Sequence, residues 1–248
     1  KTFNDVFALE PEELQLGFLK LLRGTGLRSD AAKYGYVYTE HAPYEVLASR
    51  VLSFDDVIRL KRAEDILEKY WNSHYLDETV KFLTRHAFET PFDFFQEFGD
   101  YWAEQGWSRI GHQLEDLFLR LREFLEARST PNLAVIEGLM KLDYLTHHRH
   151  KPRAVWWPAM RKQERQLLLR RLAEAPEAVS ADFAALQLSE TELVKRCHVE
   201  VLPFDLAHYW ETGAIRHEPS ALIVHFDLTQ GKGQPFTVSL ARLGVALP

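Results

Sequence analysis

A single cysteine, Cys197, stands in a chain of 248 residues. One thiol cannot close an intrachain disulfide, complete a Cys-rich zinc site or hold an iron–sulfur cluster by itself. Long apolar runs are also missing. No stretch reaches the roughly 18 to 20 residues that span a bilayer, and no signal-peptide pattern opens the sequence, so a cytoplasmic address is the default expectation. Positive charge is in deficit, with a formal net charge of -6. That argues against non-specific nucleic-acid binding by the whole surface, which needs a basic excess. An initiator Met is absent as well: the chain opens at Lys1, inside what reads as a helix end (Phe3, Val6, Phe7, Leu9), and is expected to start within a longer protein. There is no internal repeat and no low-complexity tract.

What is present is a composition suited to a large core, with 46% hydrophobic and 12% aromatic residues and 27% charged ones spread along the chain. Leu14–Leu22 is an almost unbroken apolar run closed by Arg23-Gly24-Thr25-Gly26, which reads as a buried parallel strand, with a buried helix as the competing reading that lacks helix start and stop signals. Residues 27–52 read as an ordered loop with a short strand near Tyr36–Tyr38. From Ser53 the register becomes helical. Ser53 with Asp56 makes a capping box, and Val57, Leu60, Ile66, Leu67, Tyr70 and Trp71 recur at helical spacing. Leu76, Val80, Phe82 and Leu83 predict a second helix. Thr90-Pro91 opens a third over Phe94, Phe95, Phe98 and Trp102, which Gly106 stops. Leu114, Leu117, Phe118, Leu121 and Leu125 form the cleanest amphipathic stripe, and Thr130-Pro131 is expected to cap a helix through Tyr144.

Prolines and two tryptophans between His147 and Pro158 predict a crossing segment, followed by a helix over 161–174 and another opened by a Ser189/Glu192 capping box. Residues 199–204, 221–228 and 235–243 are β-rich, with Gln230–Gly233 as a hairpin turn. The expected fold class is α+β and predominantly α-helical. It comprises a barrel-like strand and connecting loop over 1–52, a helical bundle over 53–148, and a linker, helices and small antiparallel sheet over 149–248.

The run Phe3-Asn4-Asp5-Val6 through Leu14–Thr25 resembles the final helix and strand of the radical-SAM partial barrel. With Tyr34-Gly35-Tyr36-Val37-Tyr38, Pro43-Tyr44-Glu45-Val46-Leu47, Leu52–Asp56, Arg59-Leu60-Lys61 and Leu142-Asp143-Tyr144-Leu145, the chain looks like the C-terminal region of bacterial cobalamin-binding radical-SAM proteins. The resemblance covers about the first 150 residues. It implies a parent oxidoreductase or methyltransferase in which a Cys-x-x-x-Cys-x-x-Cys loop holds a [4Fe-4S] cluster that cleaves S-adenosylmethionine to a 5′-deoxyadenosyl radical. The cluster loop and the cobalamin domain would lie upstream of Lys1 and would be this region's partners. The fragment would then be catalytically silent alone and would cover the barrel mouth, because such a radical must be shielded from solvent while its substrate is positioned. By resemblance, Leu21, Leu22, Arg23, Gly24 and Thr25 would lie beside the cofactor's adenosyl moiety, at the strand end where α/β sites are built.

Each candidate has a plainer reading. Arg23 is either a carboxylate-binding group or an ordinary strand-end arginine. Tyr34, Tyr36, Tyr38, His41 and Tyr44 either line a substrate pocket or pack the loop down. His147, His148 and His150 invite a metal reading but lack the i, i+4 spacing that aims two rings at one ion, and a solvated helix end is expected. Cys197-His198 is no catalytic pair, since strand neighbours point to opposite faces. Between residues 149 and 171 stand eight basic side chains (149, 151, 153, 161, 162, 165, 170 and 171) against one acid, Glu164. This segment supports the alternative of a non-enzymatic module binding RNA, a phosphorylated ligand or an acidic protein, or it is a solvated face with counter-charges supplied by the fold. Trp156-Trp157 is a stacking platform or a pair of buried anchors. A free-standing metallohydrolase is the weakest reading, because histidines and carboxylates miss recognised ligand spacings.

Overall fold

A computed structural model describes residues 2–152, 156–227 and 231–246. Arg153 of the basic segment, Leu228 of the expected second strand and Gln230 of the expected turn lie outside the described residues. The fold is α+β and mostly helical, as the sequence predicts. In chain order it runs α1 (Thr2–Phe7), α2 (Gly26–Ser29), α3 (Ala31–Tyr34), β1 (Val37–Tyr38), β2 (Val46–Ala48), α4 (Phe54–Tyr70), α5 (Asp77–His86) and α6 (Pro91–Glu104). It continues with α7 (Leu114–Ala127), α8 (Leu133–His147), α9 (Lys162–Glu174), α10 (Ala181–Ala185), α11 (Glu190–Arg196), β3 (Cys197–Leu202), α12 (Leu206–Thr212), β4 (Ser220–His225) and β5 (Gln234–Ser239). No described helix is long and apolar enough to cross a membrane. The chain forms two compact units, Lys1–His74 with Val80–His112, and Tyr75–Thr79 with Gln113–Pro248. The division thus falls inside segment 53–148.

The first unit is organised by α4 and α6. Ser53 and Asp56 close a reciprocal capping box that starts α4, and Thr90 with Pro91 starts α6, so both helices begin where the sequence places them. Their apolar faces bury Ile66, Leu67, Tyr70, Phe94, Phe95, Phe98 and Trp102 completely or nearly so. Each such side chain contributes about 1.5–3 kcal/mol relative to leaving it in water. Gly99 is where the two helices touch, for a Cβ there would lie 2.8 Å from the carbonyl carbon and oxygen of Arg62. Arg59 and Arg62 then both reach Asp100, at 3.0 and 3.1 Å. Phe3 and Phe7 of α1 add edge contacts to Phe95, which anchors the chain's first helix on this core.

The expected parallel strand over Leu14–Leu22 is not formed. The segment is extended, but its regular pairing is limited to one antiparallel bridge, Lys20 with Glu45. Val46 N donates to Leu19 O and Leu21 N to Tyr44 O, at 2.9 and 2.8 Å. A strand is defined by its neighbours, and only the stretch before β2 runs beside this one. Its side chains alternate between partly covered Leu14, Leu16 and Phe18 and exposed Gln15, Gly17 and Leu19. The segment is half covered rather than buried on both faces. The short strand expected near Tyr36–Tyr38 does form, as β1, and pairs antiparallel with β2.

The second unit is built on an antiparallel sheet of order β3-β4-β5. The three strands fall within a few residues of the segments read from the sequence. All six residues of the central strand β4 are buried, because the sheet is covered on both faces. Cys197, Val199, Ala221, Ile223, Phe236 and Val238 face a cluster completed by Leu168, Leu169, Leu172, Phe183 and Leu193 from α9, α10 and α11. The alternate residues of β3, namely His198, Glu200 and Leu202, point to the other face. There α8 approaches closely enough that a Cβ on Gly138 would lie 2.9 Å from the Phe204 ring.

One expected cap is not used. α8 begins at Leu133 with Asn132 as its N-cap residue, and the buried Thr130 hydroxyl has no hydrogen-bond partner. Pro131 and Asn132 form a turn that carries the chain past Thr130 before the helix starts.

Candidate functional site

In the first unit the structure brings part of the two nominated sets together. Leu21 is fully buried, and its carbonyl accepts from the Arg28 guanidinium at 3.0 Å. Leu22 is 52% exposed. Arg23 lies over the Tyr44 ring at 5.5 Å, while Arg28 lies over Tyr38 and Tyr44 at 5.0 and 5.1 Å. The arginine that organises this corner is therefore Arg28, which was not singled out in the sequence. Gly24 has φ +80 with open space around it, so the tight turn accounts for the glycine. Thr25 Oγ1 donates to Leu22 O at 2.8 Å, inside the same turn.

Tyr34 and Tyr36 pack against each other, with ring centroids 5.6 Å apart. Tyr44 N donates to His41 O at 2.9 Å, and His41 itself is exposed. The tyrosines thus mainly hold the loop in place. Tyr36 lines a groove of about 310 Å³ walled by Leu16, Phe18, Leu19, Val51 and Leu52.

The larger cavity lies in the second unit. It has a volume of about 960 Å³ and is lined mainly by apolar side chains of α8, the segment around Trp157, the end of β3 and the chain after β5. Its polar centre is a buried ion pair, Lys141 with Glu200, which the exposed Lys151 joins. Lys141 projects from α8 toward the Glu200 face of β3, at 3.7 Å from the Glu200 carboxylate, and donates to Val201 O at 3.2 Å. Lys151 contacts the same carboxylate from outside. Lys141 is 8% exposed and Glu200 2%. The Lys141 ammonium also lies 5.2 Å from the centre of the Trp157 ring, which adds a cation–π contact. Burial holds the Lys141 ammonium below the usual lysine range; the attraction of Glu200 opposes this, and the charge of Lys151 adds to it.

Neither Lys141 nor Glu200 was nominated from the sequence, although a signal was present. α8 is the most apolar helix of the chain, yet it carries Lys141 and Asp143 two residues apart, on a surface that is otherwise core. Asp143 has a separate task. It accepts from Glu78 N, Thr79 N and Thr79 Oγ1, at 3.2, 2.8 and 2.6 Å, and so caps the first turn of α5. Burial pushes its carboxyl up to about 8 against those hydrogen bonds.

The remaining nominees are placed as follows. The tryptophans are buried anchors: Trp156 stacks on Phe118 at 5.2 Å, and Trp157 meets Trp156 edge-on at 4.8 Å. His147 and His148 do not form a solvated helix end. Both are half-buried, His148 stacked on Tyr144 at 4.5 Å and His147 edge-on to Tyr75 at 5.2 Å, because the helix end is flanked by aromatic rings. Burial pushes the Cys197 thiol up to about 12, so it is an inert core thiol. Among the described residues no group of three or more His, Cys, Asp or Glu side chains is placed to share a metal ion. With its cation already matched by Glu200, the large cavity has the makings of a binding pocket for an organic molecule, with one buried ion pair to orient it.

The fold and cavity thus define an α+β, mostly helical protein with a three-stranded antiparallel sheet and an apolar pocket against its α8 face. Residues 32–224 match the model of a family described as protein of unknown function (DUF4080), and the chain belongs to that family. No curated protein matches it. The matched span leaves Leu14–Thr25 outside it.

Proposed function

We propose that this chain is the C-terminal, substrate-closing part of a cobalamin-dependent radical-SAM enzyme, silent by itself and completed by upstream barrel and cobalamin-binding domains. The observation that carries the reading is the extended segment Leu14–Leu22. It has the apolar content of a barrel strand but, among the described residues, backbone pairing on one side only, with the chain around Tyr44–Val46. Leu19 and Leu22 stand 44% and 52% exposed, and Val51, beside Leu19 in the apolar groove, is 87% exposed. A barrel wall laid along the free side would pair that backbone and cover those side chains. The family match beginning at residue 32 supports the same division between a barrel end and an attached domain. The cavity of about 960 Å³ supplies room for a substrate in that attached domain.

The donor set of this chain does not fit a [4Fe-4S] cluster. Three thiolates are required, and the single cysteine is a buried thiol held protonated on β3. On this reading the cluster and the radical chemistry belong to other residues of the parent protein, and no chemical step is assigned to residues here.

The alternative is an RNA- or protein-binding module using the basic segment 149–171. On α9 much of that charge is matched within the helix: Arg161 meets Glu164, and Arg170 and Arg171 both meet Glu174. That pairing favours the closing-domain reading. The test is anaerobic expression and reconstitution of the full-length gene product. A [4Fe-4S] absorbance and 5′-deoxyadenosine formation are expected. Reconstituted protein that shows neither would refute the proposal.

A further inference from the structure

Among the described residues Arg149 and Arg165 of the basic segment make no ion pair within their own helix or loop, and the fold brings both to one place. A second pocket of the second unit, about 410 Å³, is lined by Arg149 and His150 after α8, Arg165 of α9, Val194, Lys195 and Arg196 of α11, Cys197 and His198 of β3, and Phe226 after β4. Four cationic side chains converge there, and no carboxylate lines the pocket among the described residues. In a chain of net charge -6 this is a local inversion of sign.

The simplest explanation for two of the cations is that Lys195 and Arg196 complement the carbonyl end of α11. It does not explain Arg149 and Arg165, which arrive from other elements. Among the described residues no acid lines the pocket beside these cations. Glu192, one turn back on α11, feels Arg196 and Lys195 but commits its carboxylate to the backbone and hydroxyl of Ser189, at 2.9 and 2.7 Å. Asp227, the residue after Phe226, has interactions of its own and does not line the pocket. Most telling, the Nε of Arg196 is buried and has no hydrogen-bond partner among the described residues. A buried guanidinium N–H without an acceptor is costly, and such a group is normally met by an anion or another acceptor.

We infer that this pocket binds a phosphate-bearing small molecule, with the Arg149, Arg165 and Arg196 guanidiniums meeting its oxygens. Guanidinium forks suit phosphate oxygens, and converging cations offset the charge of a dianion. Phe226 and His198, whose rings meet edge-on at 5.6 Å, give the pocket an aromatic edge on which the organic part of such a ligand can rest. The pocket's volume admits a small phosphate ester and excludes a folded polymer. This site is separate from the cavity against α8, so it does not depend on the closing-domain proposal.

The experiment is isothermal titration of the purified chain with inorganic pyrophosphate and with adenosine monophosphate, each at fixed ionic strength with sodium chloride as the reference anion. Saturable binding that weakens as salt rises is expected for at least one probe. Arg149→Gln and Arg165→Gln should each weaken it about tenfold or more, as loss of a charge-assisted contact does. Arg161→Gln and Arg170→Gln, which remove equal charge from the paired face of α9, should change it less than twofold. Circular dichroism confirms that the variants fold, and the wild-type titration stands whether or not they do. Absence of saturable binding by both probes overturns the inference. So does an equal loss in all four variants, and so does tight binding of a single-stranded oligonucleotide that neither probe displaces, which would point to RNA instead.

Discussion

Replacing Glu200 by Gln tests the buried ion pair of the large cavity. The change preserves shape and removes one charge from a position 2% exposed. Lys141 then keeps its ammonium 8% exposed, held by Val201 O, the Trp157 ring and the weaker attraction of Glu137. At the 3.7 Å separation of Lys141 and Glu200, an effective dielectric of about 20 gives an attraction of about 4 kcal/mol. Removing one partner of a buried pair costs about 3–5 kcal/mol. The penalty has a ceiling, because Lys141 can escape by losing its proton. That costs about 1.4 kcal/mol for each pH unit below 10.4, or about 5 kcal/mol at pH 7 and under about 1 kcal/mol at pH 10. The sign follows from the depressed folded-state pKa of Lys141. Between that pKa and the unfolded value the unfolded chain binds more protons, so stability from this group rises with pH across the window.

Glu200→Gln should therefore destabilise the second unit by about 3 kcal/mol at pH 7 and by about 1 kcal/mol or less at pH 10. Lys141→Met should cost less than Glu200→Gln at pH 7, since Met fills the apolar space and Glu200 retains Lys151. Urea unfolding followed by circular dichroism gives the difference, and hydrogen exchange of β3 and β4 amides assigns it to this unit. A penalty that is the same at both pH values, or below about 1 kcal/mol at pH 7, would refute the account of a cation stranded by loss of its partner.

Two further outcomes follow from packing. Gly99→Ala should destabilise the first unit by about 1–3 kcal/mol despite the better helix propensity of alanine, because the new methyl meets the Arg62 backbone at 2.8 Å and neither helix can yield locally; a chemical melt showing a stabilised variant would sink this view of the α4 and α6 crossing. Cys197, buried and with its thiol pushed up to about 12, should react with a thiol reagent at pH 8 about 1,000-fold more slowly than a free cysteine until urea unfolds the chain; rapid modification of the native protein would show the thiol to be accessible.

Much of the secondary structure was legible because its signals are local. Ser53 with Asp56, Thr90 with Pro91 and Ser189 with Glu192 each carry a helix start in four residues, and the structure uses all three. The terminal strands were legible from their β-rich composition and the glycines between the last two. Leu14–Leu22 was misread because an apolar run records only that the segment prefers contact, whereas strand identity depends on which backbone lies alongside. The pockets were the least visible. Lys141 and Glu200 are 59 residues apart in sequence, and nothing local to either predicts that α8 presents one to the Glu200 face of β3. The basic segment showed the reverse problem. Its excess charge was plain, but only folding separates Arg161, Arg170 and Arg171, which find glutamates, from Arg149 and Arg165, which meet Lys195 and Arg196.

The cap that Asp143 places on Glu78 and Thr79 bears on how this protein can be cut. The second unit is discontinuous in sequence: Tyr75–Thr79 belongs to it, although the next thirty-three residues do not. A fragment starting at Gln113 would discard both main-chain donors and the hydroxyl that Asp143 accepts from, leaving its carboxyl without these three partners. The pentapeptide is thus an integral part of the second unit, supplied from a separate stretch of the sequence. Any excision or exchange of the second unit would therefore have to carry residues 75–79 along with residues 113–248.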